Sequence, residues 1–172
     1  MINFKNKKGQ MLAETMVGLG MAVLGILGFL SLLSYAIGLN RVISDQYVST
    51  YLASEGIEVV KNILDGKWLS GDGFGLGEGF YEVDYDSASL RYISSSESEA
   101  KDISRFMNVD SSSKRYSYKL TSQRVVTPFK RILHLQQVTN PDRVIVNSKV
   151  FWESRSGSDF EINLEDVFFG WR

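Results

Sequence analysis

Histidine and cysteine, which commonly carry out nucleophilic or acid–base chemistry, are scarce in this chain of 172 residues: it has one histidine and no cysteine. The lack of cysteine excludes disulfides and thiolate zinc sites, and a single histidine excludes a His-pair metal site. His134 is the one candidate for a histidine-dependent triad. It lies in the run FKRILHLQQV, which predicts a sheet residue that faces solvent or bonds locally. We therefore expect a protein that is not an enzyme.

Two further patterns could bind charged ligands, but neither has the spacing that such sites need. The glycine-rich run GKWLSGDGFGLGEGF begins at Gly66 and follows a helical pattern, whereas a phosphate-binding loop lies between a strand and the start of a helix. Asp72, Asp84 and Asp86 lack the spacing of a calcium loop. The sequence predicts a connecting loop here, with no metal and no cofactor.

The charges are balanced overall but unevenly distributed. With 19 basic and 20 acidic residues, the chain lacks the positive excess that nucleic-acid binding requires, so we expect no nucleic-acid partner. No residue from Thr15 to Asn40 is charged. As a helix this segment covers about 39 Å, more than the roughly 30 Å of a bilayer core. The lysines before it predict a cytoplasmic N-terminus and an extracytoplasmic C-terminus.

Two simple interpretations of this N-terminus stay open. Ser34-Tyr35-Ala36 has the small-x-small form of a signal-peptidase site, and cleavage there would leave Ile37 first. The apolar run from Thr15 to Leu33 is, however, longer than the roughly 7 to 15 residues typical of a signal peptide. Alternatively, the segment is an uncleaved anchor, in which Glu14 sits at the helix entrance, where the helix dipole and the interface tolerate a carboxylate.

A third interpretation uses the whole string KNKKGQMLAETMVGLGMAVLGIL. It combines three leader lysines, Gly9, a glutamate five positions after that glycine, and an uninterrupted apolar helix; the leader lysines are Lys5, Lys7 and Lys8. This string resembles the leader and helix start of type IV prepilins and secretion pseudopilins. The resemblance implies that a prepilin peptidase cleaves between Gly9 and Gln10 and that the new amino group of Gln10 is methylated. An N-terminal glutamine can also cyclise, which would remove that positive charge.

The same resemblance assigns a role to Glu14. After cleavage, Glu14 would lie four residues beyond the new N-terminus, about one helical turn away. A carboxylate costs about 2.5 to 3.5 kcal/mol at the centre of a bilayer, so it needs a cationic partner. In the family that partner is the α-amino group of an adjacent subunit, here on Gln10, and the pair sets the register of a filament. The implied partners are the peptidase, other pilin subunits and the membrane assembly machinery.

The next segment, residues 41–66, continues the helix as an amphipathic one. Its apolar residues recur with a helical period and form one stripe: Val48, Leu52, Val59, Val60, Ile63 and Leu64. Glu55, Glu58, Lys61 and Asp65 fall away from this stripe, and Gly66 is the predicted stop. The organisation predicted is a leader over 1–9, a membrane or filament-core helix over 10–40, this helix over 41–66 and a β domain over 67–172.

Within the β domain, alternation of polar and apolar residues predicts strands at 80–86 and 115–120, with solvated serine-rich loops at 94–102 and 110–114 around a short segment at 105–109. Residues 129–138 and 143–153 predict a hairpin about the turn Thr139-Asn140-Pro141-Asp142. A third strand follows the Ser156-Gly157-Ser158 turn, with Phe160, Ile162 and Leu164 on one face.

Such a sheet has one apolar face, and the amphipathic helix is the element available to cover it. The fold class is therefore α+β, a long N-terminal helix packed on a C-terminal antiparallel sheet, as the pilin resemblance also implies. Tyrosines 47, 51, 81 and 85 could serve subunit contacts or an ordinary core. The predicted function is a pilin-like filament subunit, at the membrane and then at the cell surface. The alternative is a single-span anchored module that binds or senses a ligand outside the cytoplasm.

Overall fold

A computed structural model describes residues 7–71, 76–119, 124–139, 142–154 and 157–169. Two helices and seven strands follow one another along these ranges: α1 (Lys7–Leu69), β1 (Gly79–Glu82), β2 (Arg91–Ser94), α2 (Glu97–Ile103), β3 (Phe106–Asp110), β4 (Tyr116–Ser117), β5 (Arg124–Thr139), β6 (Asp142–Glu153) and β7 (Asp159–Phe169). The chain forms two compact units, residues 1–44 and residues 45–172, so α1 contributes to both.

Helix α1 continues past the predicted stop at Gly66. The chain leaves the helix only after Leu69, where Gly71 adopts a φ of 80° and its N–H donates to the carbonyl of Trp68 at 3.1 Å. A left-handed residue of this kind closes a helix, and glycine adopts it without steric cost. The stop predicted at Gly66 was therefore wrong by one turn, and Gly71 is the terminating glycine.

All strand pairs are antiparallel, and β5 lies at the centre of the sheet. It pairs with β6 on one side and with β1 and β3 on the other, while β2 extends β1, β4 extends β3 and β7 extends β6. The predicted hairpin and three-strand meander are confirmed as β5, β6 and β7, with Leu135 opposite Val146 and Ser148 opposite Leu164. Asn140, Pro141 and Ser156, at the predicted turns, lie outside the described residues.

The core of the second unit lies between α1 and one face of this sheet. The predicted helix stripe is buried there: Val59, Val60, Ile63 and Leu64 pack with Leu133, Leu135, Val144 and Val146. A second cluster begins at Leu52 and joins Met107, Phe129 and Trp152. The face predicted for β6, with Val144, Val146, Val150 and Trp152, is wholly buried. A long helix packed on an antiparallel sheet, the coarse prediction, is thus confirmed.

Several local predictions were wrong because tertiary contacts decide these regions. The serine-rich stretch 94–102, predicted as a loop, overlaps α2, whose Ala100 is fully buried against Phe80, Ile132 and Phe151 on the second face of the sheet. Strand β1 ends at Glu82 instead of residue 86, and β4 comprises only two residues. The solvated loop predicted at 110–114 is, in contrast, confirmed as a turn whose residues 111–114 are exposed, in which the Asp110 carboxylate accepts from the N–H groups of Ser112 and Ser113.

One charged side chain is built into the helix–sheet interface. Arg131 is buried and donates to the carbonyl oxygens of Leu52 at 2.6 Å and of Val83 at 2.7 Å. Its guanidinium also pairs with Glu55 at 3.0 Å, although Glu55 was predicted to fall away from the packed stripe. Gly56 permits this close approach, because a β-carbon there would lie 2.8 Å from the Ser148 hydroxyl. The glycine and the arginine together connect α1 to β5.

Candidate functional site

The first candidate site lies on the N-terminal part of α1, within residues 1–44. Gly9, Gln10 and Glu14 lie in the first turns of the helix, and all three are exposed. Residues four apart occupy the same face of a helix, so Gln10 and Glu14 are neighbours on one side. Lys7 and Lys8 form the start of α1, whereas Lys5 lies outside the described residues. The sequence-predicted residues are therefore adjacent, as their spacing requires.

An uninterrupted apolar surface follows this cluster. The large side chains between Met11 and Leu39 are nearly half exposed or more, for example Met16 at 75% and Leu24 at 71%. Gly18, Gly20, Gly25, Gly28 and Gly38 have no other atom within 4 Å of where a β-carbon would stand. A soluble protein rarely exposes so much contiguous apolar area without a partner. This one helix is long and apolar enough to span a membrane.

Glu14 is the only charged residue between Met11 and Leu39. Among the residues whose side chains the structure describes, which exclude Lys7 and Lys8, no cation lies within ion-pair distance of its carboxylate. The nearby Thr15 hydroxyl donates to the carbonyl of Leu12 at 2.9 Å and so leaves the carboxylate to other partners. In apolar surroundings such a carboxylate is stabilised by any cation that approaches it. The chemistry available to this segment is thus association, through apolar packing and one ion pair.

A second candidate site is a cleft of about 430 Å³ in the β domain. Two buried carboxylates form part of its lining, and its cationic residues are Arg91, Arg105 and Lys119. Glu82 accepts from Arg91 at 2.7 Å and from the Arg105 side chain at 2.7 Å. Asp84 accepts from the Ser117 hydroxyl at 2.9 Å and from the N–H of Tyr118 at 3.2 Å. Both carboxylates are therefore already engaged in holding the fold.

Glu82 and Asp84 are buried, although they are the polar residues of the alternation that predicted a strand at 80–86. The Glu82 carboxylate also accepts from the backbone N–H of Arg105, 23 positions further along the chain. Burial raises the pKa of the Tyr118 hydroxyl beside them, and that hydroxyl donates to the carbonyl of Arg131 at 3.0 Å. No local sequence signal marks these long-range partners.

His134 takes no part in either site. It lies on β5, half-buried, and its ring stacks on Phe80 with centroids 4.3 Å apart. Burial, followed by the charge of Lys149, lowers the pKa of its imidazole. Among the described residues, no group of three or more metal-ligating side chains comes together. Asp72, one of the three aspartates considered for calcium, lies outside those residues.

For four tyrosines the sequence left open whether they serve the core or subunit contacts, and their exposure in the structure differs. Tyr81 is buried and donates to the carbonyl of Gly77 at 2.6 Å, and Tyr85 is half-buried. Tyr47 and Tyr51, one turn apart on α1, are 66% and 75% exposed. Only this second pair is free to contact another molecule.

Searches among protein families, curated proteins and solved structures found no match to this chain. Its function must therefore be inferred from the residues and geometry described above.

Proposed function

We propose that this chain is a type IV pilin-like structural subunit that is cleaved after Gly9 and then assembles into a cell-surface filament or a secretion pseudopilus. The observation that carries the proposal is the exposed first segment of α1. It joins a basic leader, a glycine–glutamine bond, Glu14 one turn beyond Gln10 and an apolar helix that is long enough to span a membrane. The α+β fold, with a long helix packed on an antiparallel sheet, agrees with such a subunit.

In this proposal the apolar helix has two successive environments. It is held first in the cytoplasmic membrane, with the N-terminus inside and the β domain outside, and then among the helices of neighbouring subunits. The exchange gains little from the hydrophobic effect, because lipid is as apolar as a neighbouring helix. Close packing at the glycines and an ion pair between Glu14 and the amino group of Gln10 in the next subunit therefore have to supply the preference for the filament.

The cleavage itself is the first thing to test. The experiment is intact-mass measurement and N-terminal sequencing of the protein from native membranes, with a strain that lacks its prepilin peptidase in parallel. We expect a chain that starts at Gln10, with or without a methyl group, and a chain that starts at Met1 in the deletion strain. A start at Met1 in both strains would contradict the proposal and indicate an uncleaved anchor. A start at Ile37 would indicate a secreted protein.

Glu14 is the residue with the most specific expected role. We expect the Glu14→Ala variant to insert in the membrane and to be cleaved, but to enter filaments poorly, because nothing then pairs with the N-terminal amino group. The measurement compares the sheared filament fraction with the membrane fraction. Glu58→Ala is the matched control, since Glu58 is an exposed acid on the same helix within the other unit. Normal incorporation of the Glu14→Ala variant would exclude the pairing role.

A membrane-anchored binding module is the second candidate, and the cleft bounded by Glu82, Arg91 and Arg105 is the observation that favours it. In that case the apolar helix serves only to hold the β domain at the membrane surface. This function requires an intact leader, so the same N-terminal sequencing separates it from the pilin-like one. It also requires a ligand whose binding depends on the residues of the cleft.

A further inference from the structure

One end of the sheet carries a basic surface formed by Arg91, Arg105, Arg115, Lys119 and Arg124. Arg91, Arg105 and Lys119 line the 430 Å³ cleft. Arg115, Lys119 and Arg124 line a smaller hollow of about 60 Å³ beside β4. Because Lys119 belongs to both, the two hollows are adjacent and form one surface. Each of the five side chains is exposed.

The acidic residues near this surface compensate only part of its charge. Glu82 and Asp84 are buried beneath the cations, and Asp110 is half-buried in its own turn. Asp86 is exposed and pairs with Lys119. Arg91 and Arg105 pair with Glu82. Arg105 stacks over Tyr118 and Arg115 over Tyr85, with distances of 4.7 and 5.4 Å to the ring centroids. Arg115 and Arg124, which are exposed and belong to none of the ion pairs of the described residues, therefore present positive charge to solvent beside β4.

The opposite end of the same sheet is acidic. Strand β7 is 11 residues long, and among the described residues it pairs with β6 alone, so its outer edge is open. It contains no basic residue, and its four carboxylates are all exposed: Asp159, Glu161, Glu165 and Asp166. One backbone donor, the N–H of Val167, is occupied by the Asp166 carboxylate at 2.8 Å. Phe160, Ile162 and Leu164 pack against the core, so it is the outer edge of the strand that can face another molecule.

We propose that the acidic strand β7 of one copy docks against the basic surface beside β4 of the next copy. Two different surfaces meet in such a contact, so it is heterologous, and repetition of a heterologous contact that does not close generates a filament. This inference rests on the proposed function for its biological role, because a pilin-like assembly needs such a contact between β domains. The contact itself is argued from the charges and edges of the sheet alone.

Charge selects this pairing over the symmetrical ones. Two β7 strands side by side would place their carboxylates against each other, and two basic surfaces would oppose their arginines. Like charges across an interface are disfavoured, and charges on an edge strand are a known protection against unwanted pairing. A second copy of the chain offers the complementary charge at a fixed spacing, and so it is the occupant that the structure favours.

The test uses the full chain in cells that assemble it. Because the chain has no cysteine, an introduced cysteine is its only reactive thiol. One chain carries Glu161→Cys on β7 and the other carries Arg115→Cys beside β4. Both are produced together, and a short bis-maleimide linker is applied to intact cells. We expect cross-linked dimers in the mixture at about ten times the level found with either variant alone, because like-charged edges avoid each other. In the matched control, Ser98→Cys takes the place of Glu161→Cys, since Ser98 is exposed on α2.

Charge exchange is the second arm of the experiment. We expect the cross-linked fraction to fall severalfold when Arg124→Glu is added to the Arg115→Cys chain, and likewise when Asp159→Lys is added to the Glu161→Cys chain. The two charge reversals together should restore it. All these positions are exposed, and resistance to a protease verifies that each variant is folded. Absence of cross-links between folded chains, or equal cross-linking with the Ser98→Cys control, would overturn the proposal. The proposal would also be overturned if no cross-links formed and the chain instead bound a sulfated polysaccharide through Arg115.

The two proposals fail in different ways. If the mature chain begins at Gln10 but no cross-link forms, the pilin-like function stands and the docking of β7 is wrong. If cross-links form between chains that retain Met1, the docking is supported and the cleavage is wrong.

Discussion

Arg131 shows how a single buried charge can connect two elements. Its guanidinium bonds two backbone carbonyls, of Leu52 and Val83, while Glu55 is 35% exposed and remains partly hydrated. We expect Arg131→Ala to reduce the free energy of unfolding by about 3 to 5 kcal/mol, since it leaves buried groups without a donor. We expect Glu55→Gln to cost less, about 1 to 2 kcal/mol, because the amide oxygen still accepts from the guanidinium although the buried charge loses its anionic partner.

The measurement is denaturant unfolding of the full chain in detergent, followed by tryptophan fluorescence. Trp152 lies in the core cluster that contains Leu52 and therefore reports on this interface. If Glu55→Gln cost as much as Arg131→Ala, the ion pair and not the carbonyl bonds would connect helix and sheet.

His134 makes the stability of the sheet depend on pH. The fold lowers the pKa of its imidazole, so the unfolded chain binds the proton first as the pH falls. Stability is therefore full above the ordinary pKa of about 6.5 and decreases as the pH falls below it. We expect His134→Phe, which keeps the stack on Phe80, to weaken this dependence between about pH 7 and 5. Parallel pH profiles of the two proteins in thermal unfolding would contradict this prediction.

At the scale of elements, the closest contact between α1 and the sheet is at Gly56. A β-carbon there would lie 2.8 Å from the Ser148 hydroxyl and 3.1 Å from Leu133. We expect Gly56→Ala to reduce stability by about 1 to 3 kcal/mol, the usual cost of overpacking, despite the better helix propensity of alanine. Ser148→Ala in the same chain should recover part of the loss, because it removes the contacting oxygen.

Gly66→Ala is the matched control for this prediction. Gly66 lies in the same helix, and no other atom is within 4 Å of its β-carbon position. We expect this variant to be neutral or to gain up to about 1 kcal/mol from helix propensity. Thermal unfolding of both variants measures the difference, and equal effects at the two glycines would show that the contact with Ser148 is unimportant.

Elements whose partners are close in sequence could be predicted, and elements that depend on distant partners could not. The hairpin of β5 and β6 follows from alternation on both sides of one turn, and the helix stripe from a single period. Helix α2 was missed because a run of serines precedes it and, of its seven residues, only Ala100 is buried in the core. The buried state of Glu82 depends on Arg91 and Arg105, which no local pattern connects to it.

The two candidate sites differ in the same respect. Gly9, Gln10 and Glu14 lie within one and a half turns of helix, so their spacing alone places them together. The cleft at Glu82 is assembled from β1, the loop after it, β2, and residues around 105 and 118, which the sheet brings together. The overall charge of -1 likewise gave no indication that one end of the sheet is basic and the other acidic.

At the scale of the whole molecule, the chain divides after Ser44 into two units. The second unit contains its own core, since the packed stripe of α1, from Val48 to Leu64, lies wholly within residues 45–172. Among the residues of the first unit whose burial is described, none is buried and only Val42 is partly buried. We therefore expect residues 45–172 to fold alone and to remain in solution without detergent.

The measurement compares this fragment with the full chain in detergent by circular dichroism and thermal unfolding. The fragment should unfold in one cooperative step with a midpoint within about 5 °C of the full chain, because no core contact is removed. It should also fail to enter filaments, since it lacks Gln10, Glu14 and the apolar helix that the proposed assembly uses. A fragment that is unfolded or aggregated would show that the first 44 residues stabilise the β domain. The boundary between an assembling helix and an independent domain would then lie elsewhere in α1.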